Sequence, residues 1–282
     1  MLKLAQKAAN AGAEILKEHF GNISNHHIRE KNKNDFLTFV DELAERKIIE
    51  EIKAVYPDHA ILAEERGSDC RNSTYKWIID PLDGTKNYIN GIPLFAISIA
   101  LEVDKQVELG VVLNPMSGEM FSAEKKLGAY LNCKKIIVSK QKNLKNCLLA
   151  TGFPFKFKNH LSQYMRCFEE IFNEISGARR MGAAAIDLAY VAAGRFDGFW
   201  EWGLKPWDVA AGILLIKEAG GEASDFWGQF NFMENGNIVA SNGLIHQNLL
   251  KIIQKHFQEN QPGDNNNEIK PIQRKGIHKG RT

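Results

Sequence analysis

Residues 77–85 read Trp-Ile-Ile-Asp-Pro-Leu-Asp-Gly-Thr, and this stretch carries most of the information about the fold. An apolar strand ends in the carboxylate of Asp80, a proline turns the chain, and Asp83 presents a second carboxylate. Gly84 and Thr85 then offer backbone N–H groups where a short helix can begin, which is a favourable place for an anion. Two carboxylates beside an anion site are compatible when cations lie between them, because the like charges otherwise repel each other.

Taken alone, this motif is also explained by a strand end at which Asp83 caps a helix. Acidic residues at the ends of other predicted elements favour a cation site over a simple helix cap. Glu64 follows an apolar strand, whereas Asp41 and Asp208 each stand at the start of a helix. Oxygen ligands from separate elements suit hard cations, and hard cations suit phosphate chemistry. These residues therefore predict a site for several Mg²⁺ ions.

The periodicity of apolar residues predicts an α+β first half and an α/β second half, packed as one layered body. Helices are predicted at 2–20 and 39–55, followed by strands at 59–63, 76–80, 95–103, 106–114 and 119–124, the last three as an antiparallel meander. From about residue 140, strands at 147–151, 198–202, 221–224 and 238–241 alternate with helices at 162–175, 184–194, 209–219 and 243–257.

We expect three segments along the chain. The N-terminal half, 1–140, would contain the antiparallel sheet and the main metal site, and the C-terminal half, 141–258, would complete that site. The remaining segment, 259–282, is predicted to be a disordered basic tail, because it has too few large apolar groups to offset the entropy of ordering.

The composition is that of a folded globular protein, with 44% hydrophobic residues, 25% charged residues and a net charge of +2. This near-neutral charge argues against a broad surface for nucleic acid or membrane lipid, and the small excess lies in the tail, which has five basic and three acidic side chains. The four cysteines form no C-x-x-C pair, and no apolar run reaches the ~18 residues of a membrane span. We expect a cytoplasmic protein that does not bind membranes. The histidines, such as His246, are predicted to lie at the surface.

Two motifs in this order resemble those of the inositol monophosphatase family, whose members are Mg²⁺-dependent, Li⁺-sensitive phosphatases. The first is the stretch at 77–85, and the second is Lys-Pro-Trp-Asp-Val-Ala-Ala-Gly at 205–212, followed by Glu-Ala-Gly-Gly at 218–221. The stretches at 150–155 and 188–195 look most like the bacterial SuhB-type inositol-1-monophosphatases. The resemblance extends to about residue 258. It implies a layered αβαβα sandwich of the sugar phosphatase fold and a homodimer.

The resemblance also implies roles for individual residues. Two to three Mg²⁺ ions would be held by the side chains of Glu64, Asp80, Asp83 and Asp208 and the main-chain carbonyl of Leu82. Activation of the attacking water would involve Asp41, Glu64 and Thr85. The substrate would contact Asp83, Gly84, Thr85, Arg179, Gly182, Ala183, Ala184, Glu201 and Asp208.

Two positions depart from the family pattern. Lys86 stands where a second threonine is common, and we expect its side chain to point to solvent. Ala183 lacks the hydroxyl that is usually found there, so one side-chain contact with the substrate is lost. Neither change affects a predicted metal ligand, so phosphatase activity is expected while the substrate preference stays open.

The expected function is hydrolysis of inositol 1-phosphate to inositol and phosphate by water that Mg²⁺ activates. Fructose 1,6-bisphosphate, histidinol phosphate and 3′-phosphoadenosine 5′-phosphate are alternative substrates, because the spacing of the motifs does not determine the pocket residues that select among them. The SuhB-type resemblance and the basic tail also allow a second role, in transcription antitermination or RNA metabolism, through RNA polymerase or nucleic acid.

Overall fold

The computed structural model describes residues 1–22, 28–32, 35–69, 73–154 and 158–257, with 28–32 and 35–37 described as backbone only. The predicted tail, 259–282, lies outside these residues. The α-helices are α1 (Leu2–His19), α2 (Phe39–Lys53), α3 (Thr85–Ile89), α4 (Leu161–Glu174), α5 (Ala184–Ala192), α6 (Pro206–Glu218), α7 (Phe232–Asn235) and α8 (His246–His256). Within this part of the chain, no helix combines the length and the apolar character needed to cross a membrane.

The strands are β1 (Ile28–Asn32), β2 (Asp35–Thr38), β3 (Ala60–Ala63), β4 (Gly67–Ser68), β5 (Tyr75–Asp83), β6 (Ala96–Val103), β7 (Gln106–Asn114), β8 (Glu119–Glu124), β9 (Gly128–Leu131), β10 (Lys134–Ile136), β11 (Leu148–Thr151), β12 (Gly177–Arg179), β13 (Gly198–Glu201), β14 (Glu222–Ser224) and β15 (Ile238–Ser241). β1 and β2 form a separate antiparallel pair.

The larger sheet has eight strands among the described residues, in the order β10-β9-β8-β7-β6-β5-β3-β4. From β5 to β10 each strand pairs antiparallel with its successor, which confirms the predicted meander of β6, β7 and β8 and extends it by β5 at one end and by β9 and β10 at the other. β3 lies parallel to β5, and its last residue, Ala63, pairs with Ile79. The carboxyl ends of β3 and β5 therefore meet, which places Glu64 beside Asp80.

The smaller sheet has five described strands in the order β12-β11-β13-β15-β14. β11 is parallel to both β12 and β13, whereas the pairs of β15 with β13 and β14 are antiparallel. Because parallel strands end at the same edge of a sheet, Thr151 at the end of β11 and Glu201 at the end of β13 reach the same place.

Three hydrophobic cores alternate with the two sheets. α1 and α2 cover one face of the larger sheet, where Trp77 and Ile79 point into the first core. α5 and α6 fill the space between the sheets, where Ile78 of the larger sheet and Phe199 of the smaller one share a second core. α4 and α8 cover the outer face of the smaller sheet around Trp200. The layers therefore run αβαβα, as expected from the sequence.

Helix α6 packs closely against the larger sheet because a glycine faces it. A Cβ atom on Gly110 of β7 would lie 2.9 Å from the Cα atom of Ala211, so a larger residue would push the helix away. Near the start of the same helix, the Ser98 hydroxyl on β6 donates to the carbonyl of Trp207 at 2.9 Å. These two contacts hold the N-terminal half of α6, and with it Asp208, against the sheet.

The predicted helices and strands are present, with most ends shifted by a few residues. Seven short elements were not predicted, each two to five residues long: β1, β2, β4, β9, β10, β12 and α7. The surface position predicted for His246 is wrong, since its side chain is fully buried in α8. The hydroxyls of Ser224 and Ser241 lie 3.0 and 3.1 Å from its ring nitrogens and satisfy them.

We predict that Gly110→Ala lowers the free energy of unfolding by roughly 1–3 kcal/mol, because the added methyl group has to displace the backbone of α6. Gly177→Ala in β12 is the matched control, since its Cβ would meet no atom closer than 3.5 Å. Urea unfolding followed by circular dichroism measures both. Equal losses in the two variants would contradict the tight crossing of α6 and β7.

Candidate active site

A cleft lies where the carboxyl ends of β3, β5, β11 and β13 meet the first turns of α5 and α6. Its acidic lining residues are Glu64, Asp80, Asp83, Glu201 and Asp208. Its other lining residues from the predicted set are Leu82, Gly84, Thr85, Gly182, Ala183 and Ala184. The structure thus brings together every predicted site residue except Asp41 and Arg179, which do not line the cleft. Asp41 nevertheless contacts the lining residue Thr85 through its side chain.

A β-bulge directs Asp80 and Asp83 to the same side of β5. In the pairing with β6, Asp80 is opposite Ser98 and Asp83 is opposite Ala96, so β5 contains one extra residue between these points. Residues three apart in a regular strand face opposite sides, and the extra residue reverses this. Asp80 Oδ1 accepts a hydrogen bond from the amide of Leu82 at 2.9 Å, which holds the turn.

The carboxylates of the cleft raise one another's pKa. Burial is the main cause of the raised pKa of Asp80, and the charges of Glu64, Asp83 and Asp208 add to it. Burial, followed by the charge of Asp208, raises the pKa of Asp83 to about 8. The amide of Ala185 opposes this shift by donating to Asp83 Oδ2 at 2.6 Å. These acids are therefore desolvated and close enough to repel one another.

The chemistry of the donor set fits a hard divalent cation. All the predicted ligands, the carbonyl of Leu82 included, offer oxygen, and a cation between the carboxylates would remove their repulsion. As the side chains stand, no group of three or more His, Cys, Asp or Glu residues in the described chain is arranged around one metal position.

Thr85 and Asp41 form a hydrogen-bonded pair at the edge of the cleft. The Thr85 hydroxyl lies 3.3 Å from Asp41 Oδ1 and 3.1 Å from the carbonyl oxygen of Leu82, both of which are acceptors. Asp41 is buried, and its Oδ2 accepts hydrogen bonds from the amide and the hydroxyl of Thr38, the N-cap of α2, at 2.9 and 2.5 Å. Asp41 is therefore held rigidly, and its orientation determines that of the Thr85 hydroxyl.

Gly84 has to be a glycine for two reasons. Its φ of 97° lies in the left-handed region. A Cβ atom there would also lie 3.2 Å from the Cβ of Ala183 and 3.3 Å from the carbonyl oxygens of Gly182 and Leu94. The turn after β5 therefore packs directly against the loop before α5, and this contact joins the two halves of the cleft.

Glu201 reaches the cleft from the smaller sheet. Its side chain occupies the space where Gly152 has no side chain, since a Cβ atom on Gly152 would lie 2.0 Å from the Glu201 carboxyl carbon. Glu201 is buried, and its charge helps to raise the pKa of Asp187 on α5, for which burial is the larger cause. Asp187 Oδ1 has no hydrogen-bond partner among the described residues. Asp187 was not among the predicted site residues, although an acid in an otherwise apolar helix is a signal that could have identified it.

The basic residues that line the cleft do not include Arg179, the predicted basic contact. The exposed Arg179 guanidinium donates to the carbonyl of Ala178 at 3.0 Å, whereas its neighbour Arg180 lines the cleft. Lys86 and Lys205 also line it, and Lys86 is half-buried there. Thr151 at the end of β11 and the loop segments 152–154 and 202–204 complete the wall, and none of them was predicted as a site residue. Sequence periodicity cannot detect the loop segments, because they lie in irregular turns after strands.

Comparison with known proteins identifies the family to which the chain is similar. The family model of the inositol monophosphatase family matches residues 1–259. The Nus factor SuhB of Pseudomonas aeruginosa is 44% identical over 262 residues, which cover 91% of this chain and 97% of the relative. The fructose-1,6-bisphosphatase/inositol-1-monophosphatase of Aquifex aeolicus is 40% identical over 257 residues, which cover 91% and 96%.

A solved structure shows the same architecture. The extragenic suppressor protein SuhB from Bartonella henselae superposes with a TM-score of 0.87 at 38% identity, and the alignment covers 90% of this chain and 98% of that one. The family match includes every element that lines the cleft, from β3 to α6. From these matches and from its layered fold, we conclude that the chain belongs to the inositol monophosphatase family.

Proposed function

We propose that this phosphatase is a Mg²⁺-dependent phosphomonoesterase whose first substrate is inositol 1-phosphate. The observation that carries the proposal is the convergence of Glu64, Asp80, Asp83 and Asp208 on one cleft, beside the hydroxyl of Thr85. The name of the Aquifex aeolicus relative supports an inositol phosphate and also a fructose bisphosphate as substrates. Histidinol phosphate and 3′-phosphoadenosine 5′-phosphate stay as alternatives.

The proposed metal ligands are the predicted ones, and they would hold two to three ions: Glu64, Asp80, the carbonyl of Leu82, Asp83 and Asp208. When bound there, Mg²⁺ supplies Lewis acidity toward water and toward the phosphate oxygens. No covalent nucleophile is needed, because phosphoryl transfer depends mostly on positioning and on charge stabilisation. The protein's own contribution is to hold the phosphate and the attacking water in line.

Thr85 would orient the attacking water. Its hydroxyl proton is directed to the acceptors Asp41 and Leu82, so the lone pairs of Oγ1 are left to accept a hydrogen bond from water in the cleft. As the water attacks, its proton passes to Thr85 Oγ1 while the Thr85 proton moves toward Asp41. Thr38 keeps Asp41 in place during this transfer through its two hydrogen bonds. Glu64 would assist the same water, as predicted.

The substrate would lie across the joint between the two halves of the cleft. The amides of Gly84 and Thr85 would hold the phosphate, and Glu201 would accept a hydrogen bond from a ring hydroxyl. The segment 182–184 would contact the substrate through its backbone, because Ala183 has no hydroxyl to offer. Arg179 stays a predicted contact, although it is Arg180 that lines the cleft.

We predict that purified protein releases phosphate from inositol 1-phosphate only with Mg²⁺, and that Li⁺ lowers the rate. Asp83→Asn should reduce kcat by a factor of about 10² or more, because the site loses a ligand charge. Asp58→Asn, on an exposed turn outside the cleft, is the matched control and should behave as wild type. Full activity in EDTA or in Asp83→Asn would contradict the metal mechanism.

A second prediction concerns the hydroxyl of Thr85. Thr85→Val removes the oxygen that accepts the water proton and should lower kcat by roughly 10²–10⁴ with little change in KM. Thr85→Ser keeps the hydroxyl and should retain most of the activity. Steady-state kinetics on inositol 1-phosphate measures both variants, and circular dichroism verifies their folding. A Val variant as active as the Ser variant would exclude the proton transfer.

We further propose that the protein forms a homodimer and associates with RNA polymerase. The names of its relatives support the second role, since the Pseudomonas aeruginosa and Escherichia coli relatives are called Nus factor SuhB. Purified RNA polymerase should co-elute with the full chain in gel filtration, and a chain ending at residue 258 tests whether the basic tail contributes. If neither form binds the polymerase, the transcription role is excluded.

A further inference from the structure

The buried face of α2 carries a second acid that is not among the predicted site residues. Glu45 is 3% exposed and stands one turn after Asp41, so the two acids lie on the same face of the helix. Ile48 and Ile52 continue this face into the first core. A carboxyl group in such a place costs free energy unless it is hydrogen-bonded, so its partner indicates what it does.

The partner of Glu45 is the main chain of the turn that joins β3 to β4. Glu45 Oε2 accepts a hydrogen bond from the amide of Glu65 at 2.8 Å. The turn consists of residues 64–66, because Ala63 pairs with Gly67 where the two strands run antiparallel. The contact therefore fixes α2 to the segment that begins with Glu64, a predicted metal ligand.

The main chain of Glu64 is held on both sides of its Cα atom. Its own amide donates to the carbonyl of Ile79 on β5 at 3.1 Å. The next amide along the chain, that of Glu65, donates to Glu45. Because φ and ψ are the only soft dihedral angles of the main chain, fixing both peptide planes also fixes the Cα–Cβ direction of Glu64. Glu64 lines the cleft, so this direction decides where its side chain enters.

Helix α2 thus acts on the cleft at two points without lining it. Asp41 accepts a hydrogen bond from the hydroxyl of Thr85, and Glu45 accepts one from the amide that follows Glu64. Groups that orient a metal ligand from outside are as much a part of a metal site as the ligands themselves, because they set the geometry that the ion meets.

We propose that Glu45 is a positioning residue for the proposed metal site, because its hydrogen bond to the Glu65 amide directs the Glu64 side chain into the cleft. The inference rests on the proposed function, in which Glu64 binds Mg²⁺ and assists the attacking water. Glu45 does not line the cleft, so it acts through Glu64 rather than on the ion or the substrate.

Two substitutions separate the hydrogen bond from the bulk of the side chain. Glu45→Met has a similar shape and no oxygen, whereas Glu45→Gln keeps an oxygen that can accept from the Glu65 amide. Glu50→Met is the matched control, since Glu50 is exposed on the same helix and does not line the cleft. Circular dichroism and urea unfolding verify that each variant is folded under the conditions of the measurements.

Calorimetric titration with Mg²⁺ alone measures the effect without turnover. We expect Glu45→Met to raise the Kd for Mg²⁺ about 10–100-fold, the usual loss when a group that orients a ligand is removed. Glu45→Gln should raise it only about two- to threefold, since a neutral amide oxygen still accepts a hydrogen bond, although a weaker one. Glu50→Met should match wild type.

Steady-state kinetics on inositol 1-phosphate should show the same order. The Mg²⁺ concentration that gives half the maximal rate should rise by the same factors, while KM for the substrate at saturating Mg²⁺ stays within about twofold of wild type. A general loss of structure would not spare KM or be restored by glutamine.

A double-variant cycle tests whether Glu45 acts through Glu64. In the Glu64→Ala background, Glu45→Met should change the Kd for Mg²⁺ by no more than about twofold, because the side chain that it orients is absent. Equal factors in the two backgrounds would overturn the positioning role, and so would a Glu45→Met variant that binds Mg²⁺ as tightly as wild type.

The positioning role and the proposed hydrolysis fail in different ways. If Glu45→Met and wild type bind Mg²⁺ equally and release phosphate equally, the positioning role is overturned and the hydrolysis stands. If the Kd values follow the expected order but no protein releases phosphate, the hydrolysis fails and the positioning role stands. A wild-type protein that binds no Mg²⁺ would overturn both.

Discussion

The mutual repulsion of the carboxylates at the ends of β3 and β5 and at the start of α6 is the constraint on which the rest of the structure depends. Desolvation and like charges together raise the pKa of Asp80 and Asp83, so placing these groups side by side costs free energy. The three hydrophobic cores above and below the two sheets offset that cost. A bound cation would remove much of the repulsion, and this is the physical basis of the proposal that the cleft binds hard ions and, through them, phosphate.

The helices between the two sheets, α5 and α6, contribute both to the packing of the interior and to the positions of the repelling carboxylates. Helix α5 satisfies Asp83 through the amide of Ala185, and α6 carries Asp208 on its first turn. Both helices are enclosed between the two sheets, and Gly110 allows α6 to approach the larger one. The same contacts that stabilise the interior therefore position the acids of the cleft, so these side chains cannot shift without disturbing the core.

Much of the architecture follows from local pattern. The 77–85 stretch, the meander after it and the alternation of strands and helices beyond residue 140 are all present, and the αβαβα layering is confirmed by the structure and by the similarity to solved SuhB structures. Several of the shortest elements, such as β4, β10 and α7, were missed, because two to four residues carry little periodicity. The surface position of His246 was wrong because two serines on neighbouring strands satisfy its ring.

The sequence by itself determined which residue types stand at the ends of which elements. A carboxylate after an apolar strand, or at the start of a helix, is a property of a few consecutive residues, and such short segments obey local rules. Only the tertiary structure decided which of these groups meet. It paired Asp41 with Thr85, fitted Glu201 into the space beside Gly152, and turned Arg180 rather than Arg179 toward the cleft. The physical reason is that these contacts join residues far apart in the chain, or choose between adjacent residues by the direction of a side chain. Both depend on how the layers pack.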